Sequence, residues 1–166
     1  SRSKLIVKPI HYSIRITPNF SDFIFEGVVS IKIETNDLVN TVILNARDLE
    51  LKHSFLLQDD IERECQFTLN ADQQEVAIEL PESLQGEILL RIEYSGLINN
   101  QYAGFYRSKY TQNGQEKYIA STQFEAKDAR RAFPCFDQPD KKATFDIEYE
   151  IDTSLTGISN TEIIEE

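Results

Sequence analysis

The chain has 166 residues, of which 40% are hydrophobic and 27% charged, a balance typical of a globular domain rather than a disordered segment. Its formal net charge of -11 argues against nucleic acid or an anionic membrane as a partner, because those polyanions are bound through Lys and Arg. No window approaches the ~18 consecutive apolar residues of a membrane span, and no N-terminal signal segment is recognisable. We expect one globular domain over residues 1–166, without a membrane segment.

The first residue and the cysteine count bear on origin and compartment. The chain begins with Ser and contains no Met, which predicts a piece of a longer protein. Its two cysteines, Cys65 and Cys135, are too few for a disulfide scaffold, and we expect both thiols to be reduced. Cys135 lies between Pro134 and Phe136, where a small apolar thiol packed in a core is the simplest interpretation. Reduced thiols favour the cytoplasm, and the ectodomain of a membrane-anchored protein is the alternative.

In the first hundred residues, apolar and polar residues alternate with the period of two that indicates half-buried strands. Strands are predicted at 12–16, 23–33, 42–44, 49–57, 66–69, 76–80 and 88–94. Turns or loops are predicted at 35–40, 59–64, 70–74 and 81–86. Gly27 falls in the middle of a strand, which predicts a bulge or a close backbone contact.

The remaining residues continue the pattern. Asn113-Gly114 predicts a hairpin turn between strands at 104–110 and 117–122. Only residues 126–133 could form a short helix. A last strand is predicted at 145–151, followed by a turn at Ser159-Asn160. About ten short strands separated by turn residues predict an all-β fold, a large curved antiparallel or mixed sheet packed with smaller sheets in a sandwich-like arrangement.

The stretch 118–145 concentrates the residues that could carry chemistry. An extended apolar run ends in Gln123 and Glu125, which are two residues apart and therefore share one side of a strand. A compact basic turn follows, and then the sequence Phe-Pro-Cys-Phe at 133–136, which we call the plug and expect to pack in the core. Such a density of residues with fixed geometry indicates a site rather than a linker.

The histidines argue against a metal centre in this chain. A zinc peptidase of the His-Glu-x-x-His type needs two histidines four positions apart on a helix, with a glutamate between them. The only histidines are His11 and His53, and neither is followed by Glu. Both lie on predicted strands, so we expect structural or surface roles for them. Neither a serine nucleophile elbow nor a phosphate-binding glycine loop is present.

The stretch 122–145 resembles a long motif of the N-terminal domain of the aminopeptidase N family, the zinc-dependent gluzincin aminopeptidases of puromycin-sensitive and tricorn-factor-like type. The motif reads Thr-Gln-Phe-Glu-Ala-x-Asp-Ala-Arg-Arg-Ala-Phe-Pro-Cys-Phe-Asp-x-Pro-x-x-Lys-Ala-Thr-Phe. Shorter motifs resemble the same domain in the same order, namely Pro9-x-His11-Tyr12, Phe25-x-Gly27, Leu44-Asn45-Ala46-x-Asp48-Leu49, Tyr94-Ser95-Gly96 and Gly104-Phe105-Tyr106. One departure is Gln138, where the family usually has glutamate.

The resemblance implies the N-terminal domain of a longer enzyme that hydrolyses N-terminal residues from peptides. Zinc, its ligands and the general base would belong to a downstream catalytic domain, and the isolated chain would be inactive. It also implies roles for two residues. Glu125 would help to anchor the free N-terminus of a peptide substrate, and Gln123 would line the pocket for the first side chain. Independently of the resemblance, we expect Arg130, Arg131 and Asp137 to form buried or half-buried ion pairs that fix the loop, because an isolated buried charge is too costly.

Alternatives remain open at this stage. Judged by spacing alone, Gln123 and Glu125 would be two solvent-facing polar residues of a strand. The alternative function is a non-enzymatic β-sandwich that binds a partner protein through its sheet or loops. A bifunctional relative of leukotriene hydrolase is disfavoured, because such members carry an amide where this chain has Glu125.

Overall fold

The computed structural model describes residues 4–19, 22, 24–97, 133–136, 141–151 and 158–165. Its strands are β1 (Val7–Asn19), β2 (Ile24–Asn45), β3 (Leu49–Gln58), β4 (Ile61–Asn70), β5 (Glu75–Leu97), β6 (Thr144–Ile151) and β7 (Ile158–Glu165). They form one seven-stranded sheet in the order β3-β4-β5-β2-β1-β6-β7, with an added pairing of β3 and β5. β1 and β6 pair in parallel and the other described pairs are antiparallel, so the sheet is mixed. No helix occurs within these ranges, and the predicted all-β class is confirmed.

Two predicted turns were wrong, because β2 and β5 run through them as long strands. Residues 35–40 continue β2, and residues 81–86 continue β5. The register of the ladder shifts here, so that five residues of β2 face six of β5 between the pairs Thr35–Gly86 and Thr41–Glu79. Pro81, which cannot donate to a ladder, lies within this interval. Polar and turn-forming residues here bend two paired strands without reversing the chain.

Two other connections also differ from expectation. The predicted acidic loop at 59–64 is a two-residue turn, Asp59-Asp60, with φ of 52° and 64°, and β4 begins at Ile61. Asp tolerates this left-handed conformation better than most residues, so the hairpin closes tightly. Ser159-Asn160 was predicted as a turn but lies in β7, where these residues pair with Glu150 and Tyr149 of β6. The predicted hairpin turn at 70–74 is confirmed.

One face of the sheet forms the hydrophobic core. In the middle of β2, Val29, Ile31 and Ile33 are fully buried on the face that the alternating pattern predicted. The far halves of the bent strands contribute Leu44 and Ile78 to the same buried cluster. Each fully buried aliphatic side chain contributes roughly 1.5–3 kcal/mol relative to an exposed one. This single cluster therefore holds both halves of the bent sheet together.

Two aromatic rings lie against glycines of the neighbouring strand. Gly27 pairs with Tyr94 in a regular stretch of the β2–β5 ladder. A Cβ atom at position 27 would lie 2.6 Å from Tyr94 Oη. In the reciprocal pair, a Cβ atom on Gly96 would lie 2.7 Å from Cε1 of Phe25. Gly27 is thus a site of close contact and not a bulge. The motifs around Phe25 and Tyr94, quoted separately from the sequence, meet here across the β2–β5 ladder.

Arg91 ties three strands together on the opposite, polar face. From β5 its guanidinium donates two hydrogen bonds to Glu62 of β4, at 3.2 and 2.7 Å, and one of 2.9 Å to Glu93. The same group lies 4.6 Å from the ring centroid of Phe55, on β3. The hydrogen bond to Glu62 is the largest cause of an Arg91 pKa above its ordinary value. The contacts are therefore made by a permanently charged side chain.

Candidate functional site

The predicted site lies in the connection between β5 and β6. This connection starts after Leu97, which pairs with Ile24 at the end of the sheet where β1 finishes. It returns at Lys141, whose Nζ donates a 2.6 Å hydrogen bond to the carbonyl of Val7, where β1 begins. Gln123 and Glu125 lie outside the described residues, as do Arg130, Arg131 and Asp137. The structure describes how the chain is held at residues 133–136, inside the same motif.

The plug packs against the core face of the sheet. Phe133 has no exposed surface, and its ring centroid lies 5.4 Å from that of Tyr12 and 5.8 Å from that of Phe145, both edge-on. Tyr12 and Phe145 stack at 4.8 Å with nearly parallel planes. Such aromatic contacts contribute about 0.5–1.5 kcal/mol each beyond the burial of area. The prediction that Phe133 packs in the core is confirmed.

Backbone hydrogen bonds fix the plug as firmly as its side chains do. The Cys135 N–H donates to the Asn45 carbonyl at 3.0 Å, and the Asn45 N–H donates to the Cys135 carbonyl at 2.6 Å. The Phe136 N–H donates to the hydroxyl of Tyr12 at 3.0 Å. The plug thus joins the end of β2 as an isolated antiparallel bridge and is also bonded to β1.

The plug is where several motifs quoted from the sequence meet. Tyr12 comes from the first motif, Asn45 from the third, and Phe145 from the end of the longest one. Sequence analysis identified these motifs singly but did not predict that they touch. In the local pattern, Tyr12 looks like an ordinary apolar residue of a strand. Contacts between residues so far apart in the chain do not affect the local alternation of apolar and polar residues. The Tyr12 hydroxyl was the one feature that indicated a further contact, because the hydroxyl of a buried tyrosine needs a hydrogen-bond partner.

The two histidines lie on β1 and β3, as predicted. His11 Nε2 lies 2.7 Å from Asp146 Oδ2, and its Nδ1 contacts Thr144 Oγ1, so that it links β1 to β6. His53 is half-exposed and 3.5 Å from Glu64. Among the described residues, no group of three or more His, Cys, Asp or Glu side chains is placed to hold a metal ion. The described residues therefore do not fit the zinc that the family resemblance implies for the whole enzyme.

Both cysteines are buried in the core, and neither forms a disulfide. Cys65 is 3% exposed and Cys135 is 4% exposed, which confirms the packed position expected for the latter. Burial raises the pKa of the Cys65 thiol above its ordinary value. A protonated and enclosed thiol is a weak nucleophile, so Cys65 serves packing rather than chemistry. Within the same described ranges, no helix is long and apolar enough to cross a bilayer.

Comparisons with known proteins agree with this architecture. A sequence model described as the peptidase M1 N-terminal domain matches residues 8–166. The chain is 41% identical to the alanine/arginine aminopeptidase of Saccharomyces cerevisiae over 164 residues, which cover 95% of this chain and 19% of that protein. It is 34% identical to the puromycin-sensitive aminopeptidase of Caenorhabditis elegans over 169 residues, 99% of this chain and 18% of that protein. Aminopeptidase M1 of Arabidopsis thaliana is 36% identical over 164 residues, 95% of this chain and 19% of that protein. The chain therefore spans less than a fifth of the length of these relatives.

Proposed function

Because this chain belongs to the peptidase M1 N-terminal domain family, we propose that it is the substrate-anchoring domain of an enzyme that removes N-terminal residues from peptides. Glu125 binds the free ammonium of the substrate, and Gln123 lines the pocket for its first side chain. The observation that supports this proposal is the anchored plug. Phe133 follows Glu125 by eight residues and is fully buried, so the motif is tethered to a rigid part of the sheet.

The proposed chemistry is charge recognition. A peptide with a free N-terminus presents a compact cation, and a carboxylate in a partly dry pocket is its natural partner. Two unit charges ~4 Å apart attract by about 4 kcal/mol at an effective dielectric of 20, before desolvation is subtracted. The net charge of -11 gives the domain an acidic field, which favours cationic ligands. A free N-terminus is thereby distinguished from a blocked one.

The domain's contribution to catalysis is orientation. In the proposed enzyme, zinc and its ligands belong to a downstream domain, where the metal would activate water for attack on the scissile amide. This chain contributes no bond-making group. By fixing the ammonium it holds the peptide in register with the reacting atoms, and such positioning lowers the barrier without new chemistry. The isolated domain is accordingly expected to be inactive.

The test is the substitution Glu125→Ala in the full-length protein that contains this domain. We expect kcat/KM for an unblocked peptide to fall about 30- to 1,000-fold, because the substrate ammonium loses its charged partner. Glu87→Ala is the matched control, since Glu87 is an exposed carboxylate whose ion pair among the described residues is with Lys32, at 3.7 Å. A loss of less than about threefold, with folding intact, would contradict the anchor role. A full-length protein without aminopeptidase activity would favour the partner-binding alternative.

The compartment is a separate part of the proposal. Two core cysteines that form no disulfide favour the cytoplasm. One yeast relative, 40% identical, is named aminopeptidase 2, mitochondrial. Fractionation of source cells, with activity and antibody detection of this domain, distinguishes the two compartments. Recovery with the membrane fraction would instead support the ectodomain alternative.

A further inference from the structure

We propose that Leu5, Ile6 and Leu38 form a docking surface for the catalytic domain of the same polypeptide. We call these three side chains the N-terminal patch. The inference rests on the proposed function, which places a zinc-binding catalytic domain next to this one. It adds a surface that the catalytic domain covers, made of residues other than Gln123 and Glu125.

The N-terminal patch consists of exposed apolar side chains. Leu5 is 50% exposed, Ile6 49% and Leu38 61%. Their chain neighbours Lys4 and Asp37 are also exposed and give the patch a polar rim. Single exposed apolar residues are ordinary on a protein surface, whereas a group of them rimmed by polar residues marks a contact with another protein surface.

Hydrogen bonds of Asn36 hold the two parts of the patch together. The Asn36 N–H donates to the Ile6 carbonyl at 3.2 Å, and its side-chain oxygen accepts from the Ile6 N–H at 2.7 Å. Its side-chain amide donates to the carbonyl of Lys4 at 2.8 Å. The first residues of a domain are usually poorly ordered unless they are held in this way. Residues 4–6 are therefore fixed beside residues 36–38, and the apolar side chains are displayed at a defined place.

The alternation of side chains shows which way two members of the patch point. Val7 packs against the core, so Ile6, the residue before it, points to the opposite side. Val39 is buried, and Leu38 before it likewise points away from the core. Leu5 precedes Ile6 and keeps half of its surface exposed. The patch thus faces outwards and does not serve the core that the strands share.

The size of the patch indicates what covers it. A standard interface between separate proteins takes roughly 800 Å² and about 20–30 residues from each partner, far more than these three side chains offer. A domain of the same polypeptide is present at an effective concentration on the order of millimolar, so a small contact is enough to hold it. Since the chain spans less than a fifth of the length of its relatives, most of such a protein lies outside it. The catalytic domain is therefore the occupant that fits.

The experiment is photocrosslinking in the full-length protein, with the product mapped by mass spectrometry. Leu38→p-benzoylphenylalanine places a photoreactive ketone in the patch, and Ile6→p-benzoylphenylalanine does so at a second position. Both variants should form crosslinks within one polypeptide to the catalytic domain. Ile61→p-benzoylphenylalanine is the matched control, because Ile61 is 62% exposed but begins β4, outside the patch. Its yield of crosslinks to that domain should be at least about fivefold lower.

The outcomes distinguish this inference from the proposed function. Crosslinks from Leu38 and Ile6 that stay within residues 1–166, or that join two copies of the protein, would overturn the docking surface. A yield no higher than that of the Ile61 variant would also overturn it. The proposed function is measured separately, as aminopeptidase activity of the unsubstituted full-length protein. If that activity is absent while Leu38 forms crosslinks to the downstream domain, the proposed function fails and the docking surface stands.

Discussion

Tyr94 and Phe25 each occupy space beside a glycine of the neighbouring strand, where any larger residue would overlap an aromatic ring. The sequence indicated that Gly27 was unusual, but it could not choose between a bulge and a close contact. The deciding partner is Tyr94, which lies 67 residues further along the chain. Glycine positions can thus be identified locally, whereas the reason for them is a cross-strand neighbour.

Gly27→Ala is expected to lower the free energy of unfolding by about 1–3 kcal/mol, because the new methyl group forces the Tyr94 ring out of its rotamer. Urea unfolding of the purified chain measures this change. In a Tyr94→Leu background the same substitution should cost less, since a smaller and more flexible side chain can give way. Equal costs in the two backgrounds would contradict the proposed contact.

Cys65 makes stability depend on pH in the alkaline range. Its thiol has a pKa above the ordinary value of 9.0 when folded, so the folded state holds this proton more tightly than the unfolded chain. The corresponding stability is fully present below the unfolded pKa and is lost as pH rises through the folded pKa. Between about pH 8 and about pH 10.5, the wild type should lose more unfolding free energy than Cys65→Ala. Parallel losses in the two proteins would exclude Cys65 as the cause.

At the scale of strands, local patterns predicted which residues are extended but not how far each strand runs. The strands at 49–57 and 145–151 were predicted close to their observed positions, because strict alternation marks a half-buried strand, whereas the strand predicted at 12–16 is only the middle of β1. The turns at 35–40 and 81–86 were not observed, although polar residues, Pro81 and Gly86 favour them locally. Pairing between β2 and β5 decides the outcome, and that pairing is not encoded within either segment alone.

Arg91 of β5 contacts Glu62 of β4 and Phe55 of β3. Arg91→Lys is expected to lower the free energy of unfolding by about 0.5–1.5 kcal/mol, because lysine cannot reproduce the forked hydrogen bonds to Glu62 or stack as well on Phe55. Arg15→Lys is the matched control, since Arg15 is 55% exposed and makes a single 3.3 Å contact with Glu148. Thermal unfolding of both variants tests the prediction. A larger loss for Arg15→Lys would contradict it.

At the scale of the molecule, the plug packs against a core that is formed mostly by residues much earlier in the chain. The motif that contains it could be recognised from the sequence, and so could the burial of Phe133. Its docking place could not be predicted, because Tyr12 and Asn45 look like ordinary strand residues. The roles of Gln123 and Glu125 are predictions that rest on the motif and on the anchoring of the plug.

Phe133→Ala is expected to lower the free energy of unfolding by about 3–5 kcal/mol, since it leaves a cavity between Tyr12 and Phe145. Phe136→Ala should cost clearly less, because Phe136 is only half-buried. Chemical unfolding of the two variants, monitored by circular dichroism, compares them directly. A cost of less than about 1 kcal/mol for Phe133→Ala would contradict its place in the core.

The parallel pairing of β1 with β6 sets an order of events during protein synthesis. His11 and its partner Thr144 are 133 residues apart, so at ~5–20 residues per second the ribosome delivers β6 on the order of ten seconds after β1. Until then the outer edge of β1 is an open template for other chains. Pro9 and Pro18 bracket the stretch that later pairs with β6, and neither can donate to an added strand. We expect these two prolines to limit the pairing of another chain with this edge during the interval in which it is unprotected.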